Sequence, residues 1–355
     1  MPERLRIGVT GSGFMGRTHV DAAHKLESTQ PVAVTGGTRA AKLADDYGID
    51  VEPDVQSLVK RDDIDAIVIA TPHWLHCEET LTAATAGKHV LVEKPMATSF
   101  ADGERMNQAC ASRDLVLSVG YHQRFRESND RTRQLIKDGA IGKVRCIQMS
   151  ALFDITTMRQ DTGFGGNWGW WTDPRSVAHL MNSAPHNVDL CRWWLGSEIV
   201  SVAAQSGTFR EENPNENTTM TLLTFDDGTM STFWSSSVLP EPGFSGEAFR
   251  FRIMGDDGII DLDPYGQLQL GQLQLGNANG MSTVYEQPAV GHDDSSSAFS
   301  ISRMQAYCDQ MQGFVNSIRG TAGGEGTAKD GVAGVAAVTA MLEASATNRV
   351  VQTRR

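Results

Sequence analysis

The chain opens with a short apolar strand that runs directly into a glycine-rich turn. Residues 7–16 read Ile-Gly-Val-Thr-Gly-Ser-Gly-Phe-Met-Gly, and an amphipathic stretch follows them. In this Gly-x-Gly-x-x-Gly pattern, Gly11 allows a tight turn, Gly13 allows a phosphate to approach the backbone, and Gly16 allows the next helix to pack closely on the sheet. The N–H groups at the start of that helix point toward an anion. The pattern therefore predicts a dinucleotide-binding site.

Apolar runs alternate with helix-like stretches through the first third of the chain. The predicted strands cover residues 5–9, 31–34, 64–70, 90–92 and 116–119. The predicted helices include residues 39–47, 77–86 and 101–112. Strands rich in β-branched residues and separated by helices indicate a parallel sheet that is covered on both faces. We therefore predict an N-terminal Rossmann domain over residues 1–122.

After residue 122 the pattern changes to longer, alternating strands. These are predicted at residues 144–153, 200–208, 220–225, 229–234, 249–254 and 259–262, with helices at 128–137, 303–317 and 332–346. Asp226-Asp227-Gly228 predicts a hairpin turn, and the duplicated pattern of residues 268–275 predicts a loop or an edge strand. The expected fold class is α/β, with residues 123–355 forming a substrate-binding and oligomerisation domain. Its large open sheet is expected to be mainly antiparallel, with one face free for a partner subunit.

The bulk properties narrow the class of protein. A chain of 355 residues can form two domains, and its net charge of −12 argues against general nucleic-acid binding, which needs a basic face. No apolar run is long enough to span a bilayer, and the N-terminal residues lack the pattern of a secretory signal. The five cysteines are scattered and form no C-x-x-C pair. We therefore expect no disulfide framework, no metal site and a reducing, cytoplasmic location.

Two further polar segments follow predicted strands. Residues 70–76 read Ala-Thr-Pro-His-Trp-Leu-His, and residues 90–95 read Val-Leu-Val-Glu-Lys-Pro. Ligands of open parallel sheets bind outside the carboxyl ends of the strands, so both segments are expected beside the glycine turn. A lysine at a strand end is usually a solvated surface charge. The position of Lys94 directly after a buried strand, between Glu93 and Pro95, favours a functional role instead.

These motifs resemble those of the Gfo/Idh/MocA oxidoreductases, the glucose–fructose oxidoreductase and inositol dehydrogenase family. The resemblance extends over nearly the whole chain, and Glu93-Lys94-Pro95 is its most specific element. The other elements are the glycine turn, Ala70-Thr71-Pro72 with His76, the segment 120–125 and His186-x-x-Asp189. The resemblance implies a Rossmann domain, a second α/β domain whose sheet makes the subunit interface, and a cis Lys94–Pro95 bond. It also implies NAD(P)-dependent oxidation or reduction of sugars, cyclitols or related polyols.

The resemblance also assigns the acid–base chemistry. Oxidation of a secondary alcohol needs a base for the hydroxyl proton, and a histidine suits that role near neutral pH. The resemblance gives this role to His186, and it gives Lys94 the role of a donor to the developing alkoxide. The family usually has a carboxylate four residues before this histidine, whereas this chain has Asn182. An asparagine can orient a ring but cannot stabilise an imidazolium by its charge.

Four polar residues around this histidine share a helical spacing. They are His179, Asn182, His186 and Asp189, at intervals of three, four and three residues. Pro185 predicts that the helix starts near Ser183 or is kinked there. His179 is a candidate to share the role of the missing carboxylate. The alternative interpretation is that these polar groups only satisfy the start of a helix.

The predicted ligand contacts follow from these motifs. The expected cofactor contacts are Gly11, Gly13, Phe14, Met15, Gly16, Thr38, Arg39, Thr71, Pro72, His73, His76, Glu93, Lys94 and His122. The expected substrate contacts are Lys94, His122, Trp168, Trp170, Trp171, His179, Asn182 and His186. The three tryptophans form either an apolar platform for a sugar ring or a packing contact, and both alternatives stay open. His73 and His122 stand where the family commonly has asparagine.

The choice between NAD and NADP is read at the end of the second predicted strand. A carboxylate there holds the ribose 2′-hydroxyl of NAD, whereas an arginine accommodates the 2′-phosphate of NADP. The chain reads Thr35-Gly-Gly-Thr38-Arg39, and its next acidic residue is Asp45. These residues favour NADP without excluding NAD.

Three functions remain open at this point. The first is an NAD(P)-dependent dehydrogenase or reductase that acts on a ring hydroxyl of a sugar, glycoside or cyclitol and forms a homo-oligomer. The second uses the same groups without net redox change, through transient oxidation that permits elimination or hydride exchange between two sugars. The third is a dinucleotide-binding sensor without catalysis, which only Asn182 favours.

Overall fold

The computed structural model describes residues 4–154, 173–209, 216–240, 243–244, 247–272, 280–287, 298–321 and 326–354. These residues form two compact units. The first contains the described parts of 4–125 and 300–335, and the second contains those of 126–299 and 336–354. This division departs from the single boundary expected after residue 122. Residues near the C-terminus join the first unit because Val332 and Val335 pack with Met96 and Tyr121 in one of its apolar cores.

The strands and helices are as follows. The strands are β1 (Leu5–Thr10), β2 (Thr29–Thr35), β3 (Asp50–Glu52), β4 (Ala66–Ile69), β5 (His89–Val92), β6 (Leu117–Val119), β7 (Val144–Leu152), β8 (Ile199–Gly207), β9 (Thr218–Phe225), β10 (Met230–Ser236), β11 (Arg250–Gly255), β12 (Gly258–Leu262), β13 (Gln267–Gln272), β14 (Ser282–Glu286) and β15 (Val351–Gln352). The helices are α1 (Phe14–Lys25), α2 (Ala40–Tyr47), α3 (Val55–Val59), α4 (His76–Thr85), α5 (Phe100–Ala111), α6 (Glu127–Lys137), α7 (His179–Leu195), α8 (Ala298–Ile318) and α9 (Ala328–Thr347).

The first unit is built on a parallel sheet of six strands. Their order is β3-β2-β1-β4-β5-β6, and every neighbouring pair is parallel. The central strands are apolar and buried on both faces, as Ile7, Val9, Ile67 and Val90 show. The prediction of a Rossmann sheet is therefore confirmed. The strand order reverses between β1 and β4, which is where ligands bind in sheets of this type.

The second unit is built on a sheet of nine strands. Their order is β14-β13-β12-β11-β7-β10-β9-β8-β15, and among these neighbours only β7 and β10 run parallel. The predicted large, mainly antiparallel sheet is confirmed, as is the hairpin turn at residues 226–228 between β9 and β10. The prediction of a loop or an edge strand is wrong for residues 268–272, because they belong to β13, which pairs with both β12 and β14. Residues 273–275 of this prediction lie outside the described residues.

Helix α7 begins earlier than Pro185 predicts. It starts at His179, so Pro185 lies inside the helix, and the predicted start near Ser183 is wrong. Pro185 has no N–H to offer the carbonyl of Met181, four residues before it. The helix continues because almost all of its side chains are buried, including Leu180, Ala184 and Val188 in the apolar core of the second unit. Tertiary packing of this kind outweighs one missing hydrogen bond.

Candidate active site

The glycine turn joins β1 to α1. Gly11 has a φ of +95°, and a β-carbon there would overlap the Ala70 carbonyl oxygen, while one at Gly16 would overlap the Gly11 carbonyl oxygen. Gly13 precedes α1 without a side-chain cap, and a β-carbon at Gly13 would meet no atom within 4 Å among the described residues. An uncapped helix start behind open space fits the pyrophosphate of a dinucleotide.

The segment after β2 lies against this turn. Gly36 and Gly37 have φ values of +80° and +78°, and a β-carbon at Gly37 would lie 2.6 Å from the Ser12 hydroxyl oxygen. The Arg39 backbone N–H donates to the same hydroxyl oxygen, at 3.2 Å. Thr38 and Arg39 are exposed. The two glycines thus bring the Arg39 backbone beside the middle of the glycine turn, where a dinucleotide ribose would be read.

A half-buried carboxyl group, that of Glu79, links the ends of β1 and β4. The hydroxyls of Thr10 and Thr71 donate to one carboxylate oxygen of Glu79, at 2.6 and 3.0 Å. Burial raises the pKa of Glu79 above its ordinary value. The Thr71 side chain is therefore used within the protein, and only its backbone and Pro72 remain for the predicted cofactor contact.

His76 is buried beneath these strand ends. Its Nδ1 lies 2.9 Å from the Pro95 carbonyl oxygen, and its Nε2 lies 2.8 Å from the Thr71 carbonyl oxygen. Burial lowers the pKa of His76 despite these two acceptors and the charge of Glu93. Both ring nitrogens face the protein backbone, so His76 joins the segment after β4 to the segment after β5. Its contact with the cofactor stays a prediction, and neither ring nitrogen is left to make it.

Lys94 follows β5 at the same edge of the sheet. The Lys94–Pro95 peptide bond is cis, which confirms the implication of the family resemblance. Lys94 is half-buried, whereas Glu93 is buried. The Glu93 carboxylate accepts from His19 Nε2 at 2.8 Å and from the Lys94 backbone N–H at 3.2 Å. These contacts hold the carboxylate inside the unit, in place of the cofactor contact predicted for it.

Two other predicted site histidines are also buried in the first unit. His73 lies in a short 3₁₀ helix over residues 73–75, with its ring centroid 5.8 Å from that of His76. His122 begins another 3₁₀ helix and stacks on Tyr307 of α8, with ring centroids 4.4 Å apart. The contact of His122 with cofactor or substrate stays a prediction. One face of the ring is covered by Tyr307, which the sequence argument did not single out.

In the second unit, α7 carries three of the predicted site residues. Asn182 and His186 are buried in the middle of the helix, and they share one helical face as predicted. His179 is fully buried at its start, where Nε2 lies 2.8 Å from the Ser235 hydroxyl oxygen. Burial lowers the pKa of His179 to about 3, so the ring stays neutral. The predicted role of His179 beside His186 stays a prediction.

The start of α7 is stabilised by a residue that the sequence argument missed. Glu216, just before β9, accepts from the Leu180 backbone N–H at 2.7 Å. Burial raises the pKa of Glu216 to about 7. A carboxylate at a helix N-terminus satisfies free N–H groups and complements the helix dipole. Sequence could not reveal this cap because Glu216 lies 36 residues from Leu180 along the chain.

Part of the predicted site lies outside the described residues. Trp168, Trp170 and Trp171 belong to it. Within the described ranges, no group of three or more His, Cys, Asp or Glu side chains is arranged to hold a metal ion. None of the helices described has the length and apolar character needed to cross a membrane.

Comparisons with known proteins agree with this architecture. Residues 5–121 match the model of the GFO_IDH_MocA oxidoreductase family with its NAD-binding Rossmann fold, and residues 130–261 match the GFO/IDH/MocA C-terminal domain. Among solved structures, scyllo-inositol dehydrogenase of Lactobacillus casei with NAD(H) and scyllo-inositol aligns with a TM-score of 0.77 and 25% identity. That alignment covers 99% of each chain.

Two further relatives match at a similar level of sequence identity. The 4-carboxy-2-hydroxymuconate-6-semialdehyde dehydrogenase of a Sphingobium species is 31% identical over 59% of this chain and 64% of its own. The 1,5-anhydro-D-fructose reductase of Ensifer adhaerens is 26% identical over 98% of both chains. Several matches are partial, and those of three leading relatives span 64%, 36% and 56% of their lengths. With both domain models matched and the architecture shared, the chain belongs to the Gfo/Idh/MocA family of oxidoreductases.

Proposed function

We propose that this protein is an NAD(P)-dependent oxidoreductase that transfers a hydride between nicotinamide and a ring secondary hydroxyl of a sugar, glycoside or cyclitol. The observation that carries the proposal lies in the first unit. The glycine turn, Pro72 and Lys94 follow β1, β4 and β5, which are neighbours in one parallel sheet. Ligands of such sheets bind at this edge, beside the reversal of strand order. The relatives that act on anhydrofructose and scyllo-inositol support the substrate class.

The chemistry of this proposal divides among a few residues. In the first unit, the open space at Gly13 and the uncapped start of α1 would hold the pyrophosphate, and a bound nicotinamide would supply the hydride acceptor or donor. Lys94 donates a hydrogen bond to the alcohol oxygen and stabilises negative charge as it develops there. The family resemblance gives His186 of α7 the role of the base that takes the hydroxyl proton at a ring nitrogen, and it gives Asn182, one helical turn earlier, the role of orienting the ring or a neighbouring hydroxyl.

The experiment that tests this proposal is cofactor reduction followed by absorbance. The purified protein is incubated with NAD or NADP and a panel of aldoses, glycosides, anhydrosugars and inositols. Net formation of NADH or NADPH with at least one polyol supports a dehydrogenase. Conversion of a sugar without net reduced cofactor supports the redox-neutral alternative. Cofactor binding without conversion of any substrate supports a sensor and contradicts the proposal.

We further propose that Arg39 favours NADP over NAD. The exposed Arg39 directly precedes α2 beside the glycine turn, and no carboxylate lies between the end of β2 and Asp45. Arg39→Ala is expected to weaken NADP binding by about tenfold, since a guanidinium–phosphate hydrogen bond is worth roughly 1.5 kcal/mol, and to leave NAD binding nearly unchanged. Fluorescence titration with both dinucleotides measures this difference. Lys42→Ala, an exposed cation of the same helix, is the control, and equal losses for NADP and NAD would refute the assignment.

We also propose that the second sheet pairs with a second copy of the chain. Ile259, Met254, Cys146 and Met230 form a row of directly paired residues across β12, β11, β7 and β10. Three of them, Ile259, Met254 and Met230, are 45%, 48% and 51% exposed. An apolar row of this kind on a large sheet is typical of an interface.

Replacement of both methionines tests the oligomer. Met230→Lys with Met254→Lys is expected to convert an oligomer to monomer, because two desolvated ammonium groups would lie within the interface. Light scattering coupled to gel filtration measures the mass. Val51→Lys changes an equally exposed apolar residue of the first unit and should not alter it. An unchanged mass in the double variant excludes this face as the interface.

The cellular location is proposed from the cysteines. All five cysteines are free thiols, which supports a reducing, cytoplasmic location.

A further inference from the structure

His19 and Glu93 form a buried pair behind the segment that carries Lys94. His19 lies on the buried face of α1, three residues after Gly16, and its side chain is 1% exposed. The Glu93 side chain, at the end of β5, is 6% exposed. Their 2.8 Å contact joins the helix of the glycine turn to the segment after β5 that carries Lys94. Neither the family roles nor the proposed reaction uses His19.

The Glu93 carboxylate is fixed on three sides. His19 Nε2 lies beside one oxygen, and the Lys94 backbone N–H donates to the other at 3.2 Å. On the third side is the Gly120 backbone after β6, where a β-carbon would lie 3.1 Å from the carboxylate carbon. Gly120 thus leaves just enough room for the carboxylate. The carboxylate in turn contacts the main chain of Lys94, immediately before the cis bond to Pro95.

His19 is itself held by an aromatic contact. The Tyr307 ring of α8 meets it edge to face, with centroids 5.6 Å apart, and stacks on His122 with its own face. Such aromatic contacts restrict the orientation of the imidazole ring. Because the His19 ring cannot turn away, the Glu93 carboxylate keeps one position. The Lys94 backbone, whose N–H donates to that carboxylate, is held in place as well.

Three titratable groups act on the carboxylate. They are His19 from α1, His76 from α4 and Lys94 in its own segment. Burial acts to raise the pKa of Glu93, but the hydrogen bond from His19 and the charge of Lys94 outweigh it and keep this pKa below its ordinary value. The carboxylate therefore stays ionised, and its charge in return favours the ammonium form of Lys94.

We propose that His19 is a positioning residue for the reaction, which acts through Glu93 to fix the backbone of Lys94 and to keep a negative charge beside its ammonium group. This inference rests on the proposed role of Lys94. Without the imidazole, Glu93 is a buried carboxylate that keeps only the Lys94 backbone N–H as a donor, so we expect it to take up a proton in the assay range. The charge that favoured the Lys94 ammonium is then lost.

The test compares the pH dependence of kcat in His19→Leu and in wild type, with a polyol that wild type oxidises. If Lys94 acts as the proposed ammonium donor, loss of the Glu93 charge is expected to move the basic limb about one unit to lower pH in the variant. We also expect a fall in kcat of ~10-fold and a dinucleotide Kd within about threefold of wild type. His19→Gln has an amide that can donate to the same oxygen. This variant should return the basic limb of the pH profile most of the way to its wild-type position. His24→Leu, an exposed histidine of the same helix, is the control.

Glu93→Gln keeps the inference testable if His19→Leu does not fold. It removes the charge directly, so it should shift the basic limb as His19→Leu does, and the two changes combined should shift it no further. A lower Tm with an unmoved limb in either variant would show that the pair has only a structural role, and would overturn the inference. A wild-type protein that oxidises no polyol would overturn the proposed function, and this inference with it. Active wild type with unshifted variants overturns the inference alone.

Discussion

Lys94→Ala is expected to lower turnover at least ~10²-fold, the scale of a lost proton-handling group, while dinucleotide binding changes little. The reason is the position of Lys94 in the first unit. Lys94 follows β5 at the sheet edge that also carries the glycine turn. In the proposed function, the turn binds the pyrophosphate through its own backbone and not through Lys94. Removal of the ammonium group therefore takes away a donor to the alcohol oxygen and leaves the pyrophosphate contacts in place. Steady-state kinetics with the best polyol, together with fluorescence titration of the dinucleotide, measure the two effects separately.

Two further variants make the Lys94 experiment specific. Lys60→Ala removes an exposed lysine of the same unit, after α3, and should leave kcat unchanged. Lys94→Arg keeps the charge but places a broader, planar group there, so it should recover only part of the activity. Turnover of Lys94→Ala at the wild-type rate would remove Lys94 from the mechanism. A loss confined to cofactor affinity would make it a binding residue only.

The second large effect is expected from Gly16→Ala, in contrast with Gly13→Ala. A β-carbon at position 16 would overlap the Gly11 carbonyl oxygen, and Gly11 is itself closely packed against Ala70. Because the backbone at Gly11 is packed against Ala70, it cannot move away from the added methyl group. We therefore expect the free energy of unfolding to fall by about 3 kcal/mol, at the upper end for an overpacked site. A β-carbon at position 13 meets open space among the described residues, and the φ of −74° at Gly13 suits alanine. We expect Gly13→Ala to retain wild-type stability but to bind dinucleotide at least tenfold more weakly.

Urea unfolding of the cofactor-free protein and dinucleotide titration separate these two outcomes. The glycines lie three residues apart in one turn, so each variant is the control for the other. Equal stability of the two variants would contradict the packing role of Gly16. Unchanged cofactor affinity in Gly13→Ala would mean that the open space in front of Gly13 does not receive the pyrophosphate.

Local pattern was sufficient for the architecture of both units. The apolar runs that predict β1, β4 and β5 are buried on both faces, so their composition alone indicates a parallel sheet covered by helices. The alternation from β8 to β12 and the turn at residues 226–228 likewise predicted the second sheet. Pro185 shows where a local rule fails. Its preference for a helix start is real, but the buried faces of α7 decide the helix boundary.

What sequence alone determined is the chemistry available: a glycine turn, Lys94 after a buried strand, and Asn182 in place of a carboxylate. The tertiary structure decided which polar side chains already have hydrogen-bond partners within the protein. His76 and His179 look like open ligands in the sequence, yet backbone carbonyls engage the first and a serine and a buried environment engage the second. His19, Tyr307 and Glu216 carry no motif, yet they hold Glu93, His122 and the start of α7. The physical reason is that folding brings together side chains that are distant in sequence. These partners are separated by 36 to 185 residues along the chain, so no local pattern can reveal them.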